Sequence, residues 1–292
     1  MDKRKTIISL FCMLSFSSSL FATPVVEKKW EISSGVAQPE SVAYDAKSGM
    51  VFVSNIDGAP NQKDGKGFIS LIDLDGNMKK LDWVSGLNAP KGMVSHRGNL
   101  YVSDIDELVV ISIVEATVIS KLHAASSIFL NDVTIDEKGI IYVSDMLANT
   151  IWRLKKSNFD VWVAGDALDY PNGLFAEKKR IVFGSWGKPK EDFSTDVAGH
   201  LKEISLSNKK VKSLGAGNPI GNLDGVEADG SGGYWMTDWV AGKLLHMDKS
   251  GKVELILDME PGSADLLVLP EQNLIIIPEM NQNKISAYTI KR

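Results

Sequence analysis

Asn131-Asp-Val-Thr-Ile-Asp136, then a glycine turn, then Ile141-Tyr-Val-Ser-Asp145 is the stretch that decides the fold. It is a polar residue opening a short apolar strand, a turn, and a second strand that ends on a polar residue. The phrase recurs. It stands as Glu40-Ser-Val-Ala-Tyr-Asp45 with Met50-Val-Phe-Val-Ser-Asn55, and as Lys91-Gly-Met-Val94 with Leu100-Tyr-Val-Ser-Asp104. Further copies are Asn172-Gly-Leu-Phe175 with Ile181-Val-Phe-Gly-Ser185, and Asp224-Gly-Val-Glu-Ala-Asp229 with Tyr234-Trp-Met-Thr-Asp238. The last is Asp265-Leu-Leu-Val-Leu269 with Leu274-Ile-Ile-Ile-Pro-Glu279.

The copies start at 40, 91, 131, 172, 224 and 265, so their spacings are 51, 40, 41, 52 and 41 residues. A period of about 40 to 45 residues is that of a four-stranded propeller blade, and two blades carry insertions. Third and fourth strands fit as well, in Thr150-Ile-Trp-Arg-Leu154 and Phe159-Asp-Val-Trp-Val-Ala164. A period of two broken every 8 to 12 residues by Gly, Asp or Asn leaves no room for helices. The expected fold is all-β: a six-bladed β-propeller with four antiparallel strands per blade. The sixth copy has residues for only three strands before the chain stops at Arg292, while Lys28-Lys-Trp-Glu-Ile-Ser33 has no blade of its own. That N-terminal segment is expected to supply the outer strand of the last blade and so close the ring.

Composition agrees. The 292 residues are 44% hydrophobic and 24% charged, enough apolar matter for a full core, which excludes disorder. A net charge of −5, with no block of like charges, argues against a nucleic-acid partner. Residues 1–22 have the form of a secretory signal peptide: Lys3, Arg4 and Lys5, an apolar run to Phe21, and Ala22 before the cut. The run is too short to span a membrane comfortably, so no membrane association is expected after its removal. The only cysteine, Cys12, lies inside that run, so residues 23–292, expected as a single domain, hold no thiol or disulfide. Secretion, most simply to the periplasm, is the expected localisation.

In a propeller the first strand of each blade lines the central channel. Glu40, Lys91, Asn131, Asn172, Asp224 and Asp265 are therefore expected to meet at one mouth, with a formal charge of −2. Three carboxylates and two amides, with no His or Cys, form the donor set of a hard cation, calcium before magnesium. The plainer alternative is that these groups bond one another and ordered channel waters.

These same residues resemble the gluconolactonase–regucalcin (senescence marker protein) family of six-bladed propellers, with paraoxonases and strictosidine synthases as more distant relatives. The matching phrases are Pro39-Glu40, Leu130-Asn131-Asp132, Pro171-Asn172-Gly173-Leu174 and Leu223-Asp224-Gly225-Val226, and the resemblance covers residues 30 to 290. It implies that Glu40, Asn172 and Asp224 hold a divalent metal, Ca2+ or another divalent cation, with Asn131 joining directly or through water. It also implies an arginine gripping a sugar acid two residues before Asn131, where this chain has Phe129. Lys91 is a further departure so close to a cation.

The second strands end on Asn55, Asp104, Asp145, Ser185, Asp238 and Glu279, expected to tie the following turns to backbone N–H groups. The next residues are Ile56, Ile105, Met146, Trp186, Trp239 and Met280, an apolar wall of which two or three are expected to reach a pocket. The four histidines, His96, His123, His200 and His246, fall at unrelated blade positions. The expected function is a calcium-dependent hydrolase of lactones or related esters acting on a small-molecule substrate. The cation would serve as Lewis acid, and Asp224, or else Glu40, as proton acceptor. Lys91, Phe129, Met146, Trp186, Trp239 and Asp265, with Asn131, are the expected substrate contacts. The insertions 57–66 and 188–197 are candidate lids. A non-enzymatic propeller that binds a ligand or partner protein at the same mouth is the alternative. A metal-free lyase or condensing activity of the strictosidine-synthase type fits Asn131, Asn172 and Asp224 poorly.

Overall fold

The structure, a computed structural model, describes residues 23–291. The leader expected over 1–22 lies outside the described residues. Six antiparallel four-stranded sheets form the blades of a propeller. Two single turns of 3-10 helix, Pro270–Gln272 and Met280–Gln282, are the only helical elements among the described residues.

The apolar pattern follows from blades packing on both faces. Side chains alternate across a strand, so Val51 and Val53 face blade six while Phe52, between them, faces blade two. Six clusters of buried side chains result, one in each gap between neighbouring blades. A strand buried on both faces needs apolar residues at successive positions, hence runs such as Leu274-Ile-Ile-Ile277.

The ring closes as expected. The N-terminal strand Val25–Ile32 pairs antiparallel with the C-terminal strand Lys284–Lys291 and forms the outer edge of blade six. Trp30 on that strand also reaches blade one, where its indole N–H donates to the Leu74 carbonyl at 2.9 Å. The two chain ends thus hold the first and last blades together.

The inner strands Pro39–Asp45, Pro90–His96, Leu130–Ile135, Pro171–Ala176 and Leu223–Ala228 share one irregularity. Each carries one extra residue against its partner just after its first residue, as between Pro39 and Val42. Such a bulge bends the strand and re-aims a side chain. The bulged pairs are Glu40-Ser41, Lys91-Gly92, Asn131-Asp132, Asn172-Gly173 and Asp224-Gly225.

Candidate functional site

The first residue of each bulge faces a chamber of about 240 Å³ at one mouth of the channel, bringing Glu40, Lys91, Asn131, Asn172 and Asp224 together as its floor. Asp265 is not among them. The bridge between Ser263 and Glu279 puts Ala264, not Asp265, at the sixth floor position. The Ala264 carbonyl accepts the Thr237 hydroxyl just as the Asn131 carbonyl accepts that of Ser103. Asp265 stands one residue deeper, where its carboxylate accepts the Ser41 hydroxyl at 2.6 Å, and it does not line the chamber. An acidic residue near the expected spacing drew the sequence alignment, whereas ladder register fixes the true position. The floor therefore carries two carboxylates and one ammonium, a formal −1 rather than −2.

The second bulge residues form a tighter tier: Ser41, Gly92, Asp132, Gly173, Gly225 and, in blade six, Asp265. Three of the six are glycines because the tier cannot hold six side chains. A Cβ on Gly173 would lie 1.9 Å from the Asp224 carbonyl oxygen, and one on Gly92 would lie 2.4 Å from the Asp132 Cα. Asp132 fills its share by accepting the Leu174 N–H at 2.5 Å across the gap between blades three and four.

Electrostatics at the floor are those of crowded, dry acids. Burial raises the Glu40 carboxyl well above its ordinary range, and Asp224 adds to that while Lys91 opposes it. Burial likewise raises Asp224, helped by Asp265 and opposed by a hydrogen bond from Asn172. Burial brings Lys91 down to about 8. Its ammonium donates to the carbonyls of Pro60 and Ala89, each at 2.9 Å, and sits 4.5 Å from the Phe129 ring centroid. Lys91 is thus held by two carbonyls and an aromatic face.

Three floor atoms are buried with no hydrogen-bond partner: Glu40 Oε2, Asn172 Oδ1 and Asp224 Oδ1. All three are acceptors on residues that line one chamber. A buried acceptor left unpaired costs roughly 1–3 kcal/mol, and a hard cation is the group that satisfies several such oxygens together. The residues present fit a divalent cation. Among the described residues no three His, Cys, Asp or Glu side chains converge as a metal cluster, so the donor set here depends on amide oxygens.

Above the floor, five of the six apolar residues after the second strands line the chamber: Ile56, Met146, Trp186, Trp239 and Met280. That is more than the two or three expected, and only Ile105 does not line it, packing instead against Ile56, Ala89 and Met280 in a buried cluster. The strand-end acids are structural; Asp145 and Asp238 tie the following turn through the N–H groups of Ala148 and Ala241, as expected, but Asp145 and Asp104 also hold the segment that leads into the first strand. Asp145 accepts the N–H groups of Ile128 and Phe129, and Asp104 those of Asn88 and Ala89, which positions Phe129 and the carbonyl that holds Lys91. Both insertions reach the chamber through single residues that sequence reasoning missed, Pro60 and Phe193. Their loops hold no repeat, so nothing in the pattern marks which residue turns inward. Asn281, at the rim, was missed as well; it stands one residue beyond the apolar position, on the 3-10 turn Met280–Gln282. No histidine lines the chamber; His246 instead pairs with Asp229 at 3.0 Å.

No family model matches the chain, and no curated protein matches it. Solved structures do share its fold. A gluconolactonase from Xanthomonas campestris aligns over 88% of this chain and 87% of its own, with a TM-score of 0.64 at 13% identity. Streptogramin B lyase aligns over 92% of this chain and 98% of its own, with a TM-score of 0.62 at 11% identity. A catalytically inactive variant of virginiamycin B lyase from Staphylococcus aureus, with quinupristin, aligns over 91% and 99%, with a TM-score of 0.60 at 14% identity. At such identities the likeness is one of fold.

Proposed function

We propose that the protein is a hydrolase of lactones or related esters, of the gluconolactonase–regucalcin type, working around one divalent cation at the chamber floor. The observation that carries this reading is the convergence of three buried, partnerless oxygens, on Glu40, Asn172 and Asp224, beneath an apolar chamber. Those residues would hold the cation, with Asn131 as fourth donor, and calcium suits their carboxylate and amide oxygens. The gluconolactonase among the fold neighbours supports the reaction class.

A cation held by Glu40, Asn172, Asp224 and Asn131 would supply Lewis-acid chemistry to an ester carbonyl. The chain's own residues do the rest. Asp224, whose carboxylate lies on the chamber floor, takes a proton from the attacking water, with Glu40 the alternative. The water oxygen bonds to the carbonyl carbon and the acyl–oxygen bond breaks. The proton then passes from Asp224 to the departing alkoxide oxygen, leaving a hydroxy acid. Lys91 spends two of its three ammonium protons on Pro60 and Ala89 and keeps one for a substrate or product oxygen. Export through the leader would place the reaction in the periplasm.

The deciding experiment is metal analysis of the purified protein with a lactone and aryl-ester screen, each with and without chelator. About one divalent cation per chain is expected, with turnover lost in chelator and restored by calcium. A metal-free protein that turns over nothing would leave a propeller that binds a ligand or partner at this mouth.

A further inference from the structure

The chamber's polar side chains are those of the floor and Asn281 at the rim, whose amide N–H already donates to the Pro261 carbonyl at 3.1 Å. The walls and roof are Phe129, Met146, Trp186, Phe193, Trp239 and Met280. The indole N–H of Trp186 is already used, donating to the Phe193 carbonyl at 2.9 Å. Phe193 sits on the blade-four insertion at φ 63, in the left-handed region where a bulky residue is rare. Its surroundings hold it there. The Trp186 indole clamps its carbonyl, its own N–H donates to the Lys190 carbonyl, and a bridge joins Pro189 to Thr195. The ring lies 5.9 Å from that of Phe129, across the gap between blades four and three. A backbone conformation that favours glycine or asparagine thus presents an aromatic ring to the chamber.

We infer that the substrate's body is an apolar alkyl or aryl group, and that Phe193 is the residue that determines this specificity by closing the chamber over it. The inference rests on the hydrolase reading for the reaction, though not for the binding. A sugar lactone carries a hydroxyl on nearly every carbon. Each one buried without a partner weakens binding roughly 5- to 150-fold, the equivalent of 1–3 kcal/mol. An apolar body instead gains about fourfold per buried methylene. The cavity is small for a ligand pocket, so a short chain or one aromatic ring fills it, with the ester group on the floor.

The test compares kcat/KM for γ-nonalactone, γ-butyrolactone, dihydrocoumarin and glucono-δ-lactone in the parent, Phe193→Ala and Phe193→Leu. The nonalactone and dihydrocoumarin should exceed gluconolactone by at least about tenfold. Phe193→Ala should cost the nonalactone about tenfold more than it costs the butyrolactone, mostly in KM, and Phe193→Leu should recover most of that loss. In parallel, quenching of tryptophan fluorescence by the matching nine-carbon lactam in chelator-treated protein reads binding without turnover. If no lactone is hydrolysed but the lactam binds in a Phe193-dependent way, the hydrolase reading fails and this inference stands. Gluconolactone turned over as well as the apolar lactones, or a lactam that fails to bind or binds parent and Phe193→Ala alike, overturns it.

Discussion

Replacing Gly173 by alanine tests the idea that the tier beneath the floor is what places Asp224. The added Cβ would lie 1.9 Å from the Asp224 carbonyl oxygen and 3.0 Å from the carbonyl carbons of Asp224 and Gly225. Every one of those atoms is backbone, so no side chain can swing aside. Inner strands four and five must part by about 1 Å, an overpacking cost of about 1–3 kcal/mol. For a chain of this size that is a melting point lower by roughly 2–12 °C. The same displacement separates Asp224 Oδ1 from Asn172 Oδ1, so the variant should also lose any stabilisation by calcium. Scanning calorimetry with calcium and with chelator measures both effects. A Gly173→Ala protein that melts within a degree of the parent and responds to calcium as the parent does would refute the argument.

Three further outcomes follow from the same geometry. Deleting residues 25–32 removes Trp30 and bares the edge of the C-terminal strand, so stability should fall by at least about 3 kcal/mol, the cost of one packed tryptophan; urea titration checks it, and an unchanged midpoint would exclude closure by that strand. Calcium at a hundredfold excess over its Kd should stabilise the fold by about 2.7 kcal/mol. Glu40→Gln and Asp224→Asn should abolish that gain, yet melt no lower than the parent in chelator, because each removes a crowded buried carboxylate. Burial pushes Asp265 up to about 7 from an ordinary 3.8, against the Ser41 hydrogen bond. The native state then keeps a proton that the unfolded chain has released, so in chelator stability should fall as pH rises from about 4 to about 7, with Asp265 contributing at most about 4 kcal/mol of the fall. Asp265→Asn should flatten that slope, and an unaltered slope in the variant would assign it to other groups.

The blade count, the closure of the ring by the N-terminal strand and five of the six floor residues were legible in the sequence. The reason is physical: each blade must bury both faces of its strands and aim one bulge residue at the axis, and these demands repeat in every copy. A repeated demand leaves a repeated pattern. Three things left none. Asp265 matched the floor by residue type, but hydrogen-bond register with the second strand gave that place to Ala264. Lys91 had an unexplained charge until Pro60, Ala89 and the Phe129 ring came to surround it, from segments up to 38 residues away. Phe193 and Pro60 come from insertions outside the repeat, and only the folded loops turn them onto the chamber. Local periodicity fixes what every blade shares, because it is written in each copy; what fills the chamber depends on contacts between blades, which exist only once the ring has closed.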